Sequence, residues 1–320
     1  MKKVLTILLT LMLLSLTACN MEATQEKSST DTNVSQDDNK ESENSKKEKD
    51  EEKSPAEEKG ETSKKANNEM VFSEVTAVDN DECSIKITEI DADNIWGFTI
   101  KTQIENKSAD KTYMFSVEKA TINGVQCDPF FASEVAAGKK SNEEITFPTE
   151  KLDENGVGDY TDIELSFRVY DSNDWTADAV AKETIHIYPY GEDKATAFVR
   201  ESQASDNVIV ENDYVTAIVT GYEEDAIWGY TVNLFLLNKS DKNIMFSVDE
   251  ASVNGFMADP FYAETVSAGK CSFSSMSFSD TTLEENGIEK IEEIEFKLRA
   301  YDSDNFMGDD FANETITLKP

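Results

Sequence analysis

The sequence predicts an all-β protein built from two copies of one antiparallel sandwich. Three observations carry this. NGVQCDPFFASEVAAGK, starting at Asn123, returns as NGFMADPFYAETVSAGK, starting at Asn254. The runs between turn signals alternate apolar and polar residues, the period of a strand with one buried face and one wet face. Turn pairs such as Asn123-Gly124 and Asn155-Gly156 punctuate those runs, as they do in a sandwich or, in the competing reading, a closed barrel.

Composition narrows the function classes. A chain of 320 residues is long enough for about two domains. It is 38% hydrophobic and 9% aromatic, so cores form, but not along the whole length. The formal net charge is −35. Neutralising phosphates needs a basic face, so nucleic acid is excluded as a partner. Direct electrostatic binding to anionic lipid or an anionic wall polymer is disfavoured on the same ground. No cofactor is expected.

The N-terminus comes first. Lys2 and Lys3 precede an apolar run, Val4 to Leu16, that is too short to span a bilayer as a helix. This is the pattern of an export signal. It ends in Leu16-Thr17-Ala18-Cys19, which closely resembles the lipobox of bacterial lipoproteins. The resemblance covers residues 1–19 and implies that Cys19 receives a diacylglycerol thioether and becomes the new N-terminus. The protein is therefore expected at the cell membrane, lipid-anchored and facing the extracellular side. Residues 20–69 are a mixture of Glu, Lys, Ser, Asp, Asn and Thr with almost no large apolar side chain. Such a segment cannot offset its chain entropy by burial and is expected to be a disordered linker. As a coil its root-mean-square reach is about 40 Å.

The two copies follow, over residues 70–190 and 198–320. DNIWGFTI at Asp93 matches DAIWGYTV at Asp225, LDENGV at Leu152 matches LEENGI at Leu283, and IELSFRVYDSNDW at Ile163 matches IEFKLRAYDSDNF at Ile294. Each copy is about the size of an ordinary domain, so these are tandem domains and not a solenoid. Ile163, Leu165, Phe167 and Val169 alternate with polar residues, as do Ile294, Phe296, Leu298 and Ala300. Phe98, Ile100, Thr102 and Ile104 mark a second strand, and Ile85 and Ile87 part of a third. One helical turn is predicted near Leu152–Glu154. The strings IWGYT, NKSDKN, LEENGI and RAYDSDNF resemble an immunoglobulin-like domain of unknown function that recurs in exported lipoproteins of Gram-positive bacteria. The resemblance implies an immunoglobulin-like β-sandwich and carries no catalytic residue.

Residues suited to chemistry are few. Asn-Gly in the repeated string is a hairpin signal, because both central residues of a type I′ turn need positive φ. Asp128-Pro129 then breaks the ladder. Phe130 and Phe131 point to opposite faces of an extended chain, so one can enter the core while the other, Phe131 or its counterpart Tyr262, need not. The alternative is that a neighbouring loop covers both. A fold role is preferred to a binding site because paired aromatics are core residues more often than binding platforms. Trp96 and Trp228 share parity with Phe98 and Tyr230, which places them in or beside the core; the alternative is a binding surface of Trp96, Phe131 and Tyr170, with Trp228, Tyr262 and Tyr301 in the second copy. Asp171, Asn173, Asp302 and Asp304 resemble the start of a calcium loop. They lack the glycine at its position six and the glutamate at twelve, and a solvated acidic turn is preferred. His186 has no counterpart, since Thr317 takes its place. Cys83, Cys127 and Cys271 align with Val215, Ala258 and Lys140, so no cysteine framework is shared and small buried thiols are expected. Gln103 and Glu105 become Phe235 and Leu237, which predicts that this strand of the second copy packs against another surface. The function expected is non-catalytic recognition or scaffolding of a protein or envelope component. The alternatives are a calcium-responsive spacer and, third, an enzyme whose site leaves no motif.

Overall fold

The computed structural model describes residues 69–320, except 261. The lipobox with Cys19, the leader 1–19 and the linker up to residue 68 lie outside the described residues. All described residues belong to one compact unit, Thr62–Pro320.

The first copy runs β1 (Val75–Asp79), β2 (Cys83–Asp91), β3 (Phe98–Asn106), β4 (Tyr113–Ile122), β5 (Val125–Gln126), β6 (Ala132–Val135), β7 (Lys140–Phe147), the helical turn α1 (Glu150–Glu154), β8 (Ile163–Asp171) and β9 (Ala181–Ile187). One sheet has the order β1-β2-β3-β7; opposite it β4 pairs with β8 and β8 with β9, while β5 and β6 pair with β4. The second copy repeats this as β10 (Asn207–Glu211), β11 (Val215–Glu223), β12 (Tyr230–Asn238), β13 (Ile244–Val253), β14 (Phe256–Met257), β15 (Ala263–Val266), β16 (Cys271–Phe278), α2 (Asp280–Glu285), β17 (Ile294–Asp302) and β18 (Ala312–Leu318). Its sheets are β10-β11-β12-β16 and β13-β17-β18, with β14 and β15 on β13. Each copy is thus an immunoglobulin-like antiparallel sandwich, and among the described residues no barrel closes.

Period-two patterning places the cores. Ile163, Leu165, Phe167 and Val169 are fully buried, as are Ile294 and Ala300. Phe98, Ile100, Ile104, Ile85 and Ile87 join the first core; Tyr230, Val232, Leu234 and Leu236 join the second. Each such side chain contributes roughly 1.5–3 kcal/mol on leaving water. α1 and α2 plug one end of each sandwich with Leu152 and Leu283. The hairpin prediction is met at both sites: Asn123 and Gly124 have φ of 53° and 82°, Asn254 and Gly255 of 49° and 81°. The three cysteines are free and buried. Burial pushes the Cys83 thiol up to about 11 and those of Cys127 and Cys271 up to about 12, out of reach of thiolate chemistry at neutral pH.

One parity expectation is corrected. Phe131 and Tyr262, the candidates for an exposed position, are buried, while Phe130 stands wholly in solvent. The ladder stops at Gln126, and the Asp128 carboxylate accepts the Ala120 N–H at 2.7 Å. The chain then re-enters pairing: the Val117 N–H donates to Phe131 O and Ser116 lies opposite Ala132 in β6. The break resets the alternation, so Phe131 turns inward. Tyr262 also donates or accepts a hydrogen bond with Ser274 Oγ inside the second core.

The strand whose character changed marks where the copies meet. Phe235, on β12, and Cys271, at the start of β16, belong to the first copy's core cluster, with Leu237, Ile218, Phe273 and Phe198, the first residue of the second copy, packed against it. The Phe273 ring lies 5.2 Å from that of Phe235 and 5.8 Å from that of Phe198. Arg200 covers Phe235 at 5.4 Å and forks onto Asp206 at 2.6 and 2.7 Å. Backbone pairing completes the joint. Cys271 is the parallel partner of Val125, and its N–H donates to Gly124 O at 3.1 Å. One sheet therefore runs continuously as β10-β11-β12-β16-β5-β4-β8-β9.

Candidate functional site

The clearest feature facing solvent is a loop tip repeated in each copy. Between β2 and β3, Ile95 is 88% and Trp96 78% exposed; between β11 and β12, Ile227 is 93% and Trp228 80% exposed. The local cause is a tight turn. The Trp96 N–H donates to Asn94 Oδ1 at 3.0 Å and the Gly97 N–H to Asn94 O at 3.0 Å. Gly97 has φ of 119° and Gly229 of 97°. A Cβ at Gly97 would stand 2.5 Å from the Phe147 carbonyl oxygen, and one at Gly229 would collide with that of Phe278. The chain thus passes hard against the end of the neighbouring strand, and the two residues before the glycine are thrown outward. Parity with Phe98 and Tyr230 misplaces both tryptophans in the core because the turn rotates the chain before the strand begins.

Carboxylates surround these tips. Beside Trp96 a groove of about 540 Å³ is lined by Pro148, Thr149, Glu150, Asp153 and Glu154. In the second copy Glu224, Asp225, Asp280 and Glu284 line the corresponding end, around a groove of about 340 Å³. A tryptophan carries 150–250 Å² of surface, roughly, and is the commonest kind of anchor at protein interfaces. An Ile-Trp pair ringed by carboxylates suits an apolar pocket with a neutral or basic rim.

The remaining surface candidates do not gather around it. Tyr170 lies near the opposite end of the sandwich, and the 9 residues of β3, about 30 Å of strand, separate the two ends. Its ring is covered by Arg168 at 4.4 Å, as Tyr301 is by Arg299 at 4.9 Å. Arg299 in turn forks onto Asp310 at 2.8 and 3.1 Å, holding that carboxyl below its usual range. With Phe131 and Tyr262 buried, the six residues do not form one surface in either copy. Exposed apolar residues at the other end have no place in the sequence reading: Trp175 between β8 and β9, and Phe306 and Met307 between β17 and β18. Recurrence of an aromatic at one loop position was the signal available.

The acidic turns are built from their own backbone. Asp171 Oδ1 accepts the Asn173 N–H at 3.0 Å, and Asp302 Oδ1 the Asp304 N–H at 2.9 Å. Among the described residues no group of three His, Cys, Asp or Glu side chains is placed to hold a metal ion. His186 sits on β9 against Asp162, at 2.7 Å, and is stacked on Tyr188.

No protein-family model matches the sequence, and no curated protein matches it. Among solved structures it is similar to red sea bream transglutaminase, at 10% identity and a TM-score of 0.20, over 74% of this chain and 31% of that one. It is also similar to the CsuC–CsuE chaperone–tip adhesion subunit pre-assembly complex of archaic chaperone-usher Csu pili from Acinetobacter baumannii. That likeness is 13% identical with a TM-score of 0.20, over 68% of this chain and 90% of that chain. The chain spans about a third of the length of the transglutaminase.

Proposed function

We propose that the protein is a lipid-anchored, extracellular recognition module without catalytic activity, which engages a protein or envelope component through its two Ile-Trp tips. The observation that carries this is the exposure of Ile95-Trp96 and Ile227-Trp228 at the same turn of both copies. Solvent exposure of four large apolar side chains at one repeated place needs a reason, and covering them on binding supplies one. The fold contributes rigidity, since each tip is fixed by a glycine against the end of a strand. The lipobox supports a membrane tether through Cys19, and the composition of residues 20–69 supports a stalk that holds the sandwiches away from it. The carboxylates around the tips favour a partner with a neutral or basic rim and oppose anionic lipid. The calcium-responsive spacer draws no support from Asp171, Asn173, Asp302 and Asp304, whose turns are closed by hydrogen bonds of their own.

The test is capture from solubilised envelope and culture medium on the immobilised chain, with calcium and with EDTA. Wild type is compared with Trp96→Ala/Trp228→Ala. A component retained by wild type and lost by at least about tenfold in the variant, in both buffers, is the expected result, the scale of losing interface anchors. Identical capture by both proteins removes the tips from the function.

A further inference from the structure

Beyond what the tips bind, the joint between the two copies has an unused counterpart at each end of the described chain. Inside the molecule the joint has two halves. The accepting half is the β4–β5 hairpin, which offers Gly124 O and the outer edge of β5, with Glu164 beside it. The inserting half is the start of β16, which brings the Cys271 N–H to Gly124 O at 3.1 Å and Lys270 Nζ to Glu164 Oε2 at 2.6 Å.

Among the described residues both halves recur without a strand partner. β14 is the second copy's version of β5 and, among the described residues, pairs with β13 alone. Its turn has nearly the same φ angles as that of Asn123-Gly124. The Asn254 amide holds it from behind, donating to Lys290 O and accepting from the Glu292 and Glu293 N–H groups, as Asn123 does with Asp159 O and the Thr161 and Asp162 N–H groups. Glu295 takes the place of Glu164 and is exposed. Phe256 is 50% and Met257 70% exposed where the first copy has the buried Val125 and Gln126, whose side-chain amide donates to Thr265 O and accepts the Ser267 N–H of the second copy. β7 is the first copy's version of β16 and, among the described residues, pairs with β3 alone. Lys139 and Lys140 stand exposed in the places of Lys270 and Cys271.

We propose that the outer edge of β7 in one copy of the chain pairs in parallel with β14 of another. Lys140 then lies opposite Phe256 and donates its N–H toward Gly255 O, and Lys139 meets Glu295. The contact joins two different surfaces, so it repeats head to tail and gives open strings, not closed dimers. It is weaker than the internal joint. Gln103 and Asn142 replace Phe235 and Phe273 there, leaving Phe256 and Met257 to be covered by aliphatic stems. Assembly is therefore reversible and needs crowding, as on a surface.

Thiol cross-linking of the purified full chain tests this. A Cys19→Ser background leaves only the three buried native thiols. Into it are placed Lys140→Cys and Met257→Cys, singly and together, which keeps Phe256. With a short bis-maleimide the double variant is expected to give a ladder of dimers, trimers and higher multiples. An equal mixture of the two single variants should give dimers containing one of each. Adding Phe256→Asp to the double variant should lower the ladder about tenfold, as for loss of an interface aromatic. The proposal is overturned if the double variant stays monomeric, or if it forms only the symmetric dimers that each single variant forms alone. Cross-linking of the Met257→Cys variant to a host protein in preference to another copy also overturns it and makes β14 an edge for a foreign strand. Sedimentation of the unsubstituted chain gives an independent reading: weight-average mass should rise with concentration and should not do so in Phe256→Asp.

Discussion

The two copies share a hairpin, a plugging helical turn, a glycine-locked tip and a core, yet they are not interchangeable. β3 of the first copy alternates Gln103 and Glu105 with its buried residues, whereas β12 of the second puts Phe235 and Leu237 in those places and hands them to its neighbour's core. In the hairpin the inequality runs the other way: Val125 is covered and Phe256 is not. Identities between the copies therefore report the fold, and differences report contact. Where a polar residue becomes apolar, something covers it or is meant to.

The largest effect expected from this comparison lies at the joint. Phe235→Ala and Phe273→Ala each remove a ring packed against the first core and should cost about 3–5 kcal/mol, less than additively because the rings touch. The matching changes in the first copy, Gln103→Ala and Asn142→Ala, are surface changes and should stay within about 0.5 kcal/mol. Denaturant unfolding followed by fluorescence measures both. The joint variants should also split one transition into two, since the copies then unfold separately. Similar midpoints for the two pairs would break the contrast.

A second comparison probes what is equal. Gly97→Ala and Gly229→Ala should each cost roughly 2–4 kcal/mol, from the left-handed backbone and the collision with the Phe147 or Phe278 carbonyl. Thermal unfolding should show both losses, of comparable size. Loss in one copy only would mean that the tips are not equivalent structures.

A third is smaller. Asn123 is buried; its side-chain amide serves Asp159 O, Thr161 and the Asp162 N–H, and its backbone carbonyl accepts the N–H of Phe198, where the second copy begins. Asn254 makes the same kind of side-chain bonds in a more open setting. Asn123→Ala should cost about 2–3 kcal/mol and Asn254→Ala nearer 1 kcal/mol, roughly, the difference being desolvation of the partners left behind. Equal losses in chemical denaturation would show that the deeper burial of Asn123 adds nothing to the turn.

How much of this the sequence discloses follows from what governs each element. Alternation and Asn-Gly turns are local, so strands such as β8 and β17 and both hairpins are legible. The apolar switch at Phe235 and Leu237 locates the joint because burial leaves a compositional mark. The tips escape a parity argument because side-chain direction at Trp96 depends on a glycine packed against Phe147, a residue far along the chain. Phe131 escapes it because Asp128-Pro129 resets the alternation, and parity cannot be carried across a break. The pairing of β5 with β16 is invisible, since backbone edges have no residue code.

The smallest effect tests the joint through two carboxyls that act on each other across it, Asp128 of the first copy and Glu264 of the second. Burial holds both Asp128, at the end of the first hairpin, and Glu264, on β15, above the ordinary carboxylate value. Glu264 stands where the first copy has Ser133, and the negative charge of Asp128 raises it further. Opposing this are the Ser272 hydroxyl and Lys151 for Glu264, and the Ala120 N–H, Lys119 and Gln126 for Asp128. In the interval between the ordinary value and the raised ones, the folded chain binds protons that the unfolded chain has released. Stability contributed by these two groups therefore rises as pH falls through that interval and levels off below it. Other groups run the opposite way: Arg200 holds Asp206 low and Arg299 holds Asp310 low, so both lose stability on acidification. The difference between wild type and Asp128→Asn/Glu264→Gln isolates the pair, because the other groups are common to both. At neutral pH the variant should melt higher, having no buried charge to desolvate. That advantage should shrink steadily as the pH of the melt is lowered toward the ordinary carboxylate value. A constant offset between the two proteins across the series would mean that the carboxyls do not sense the joint.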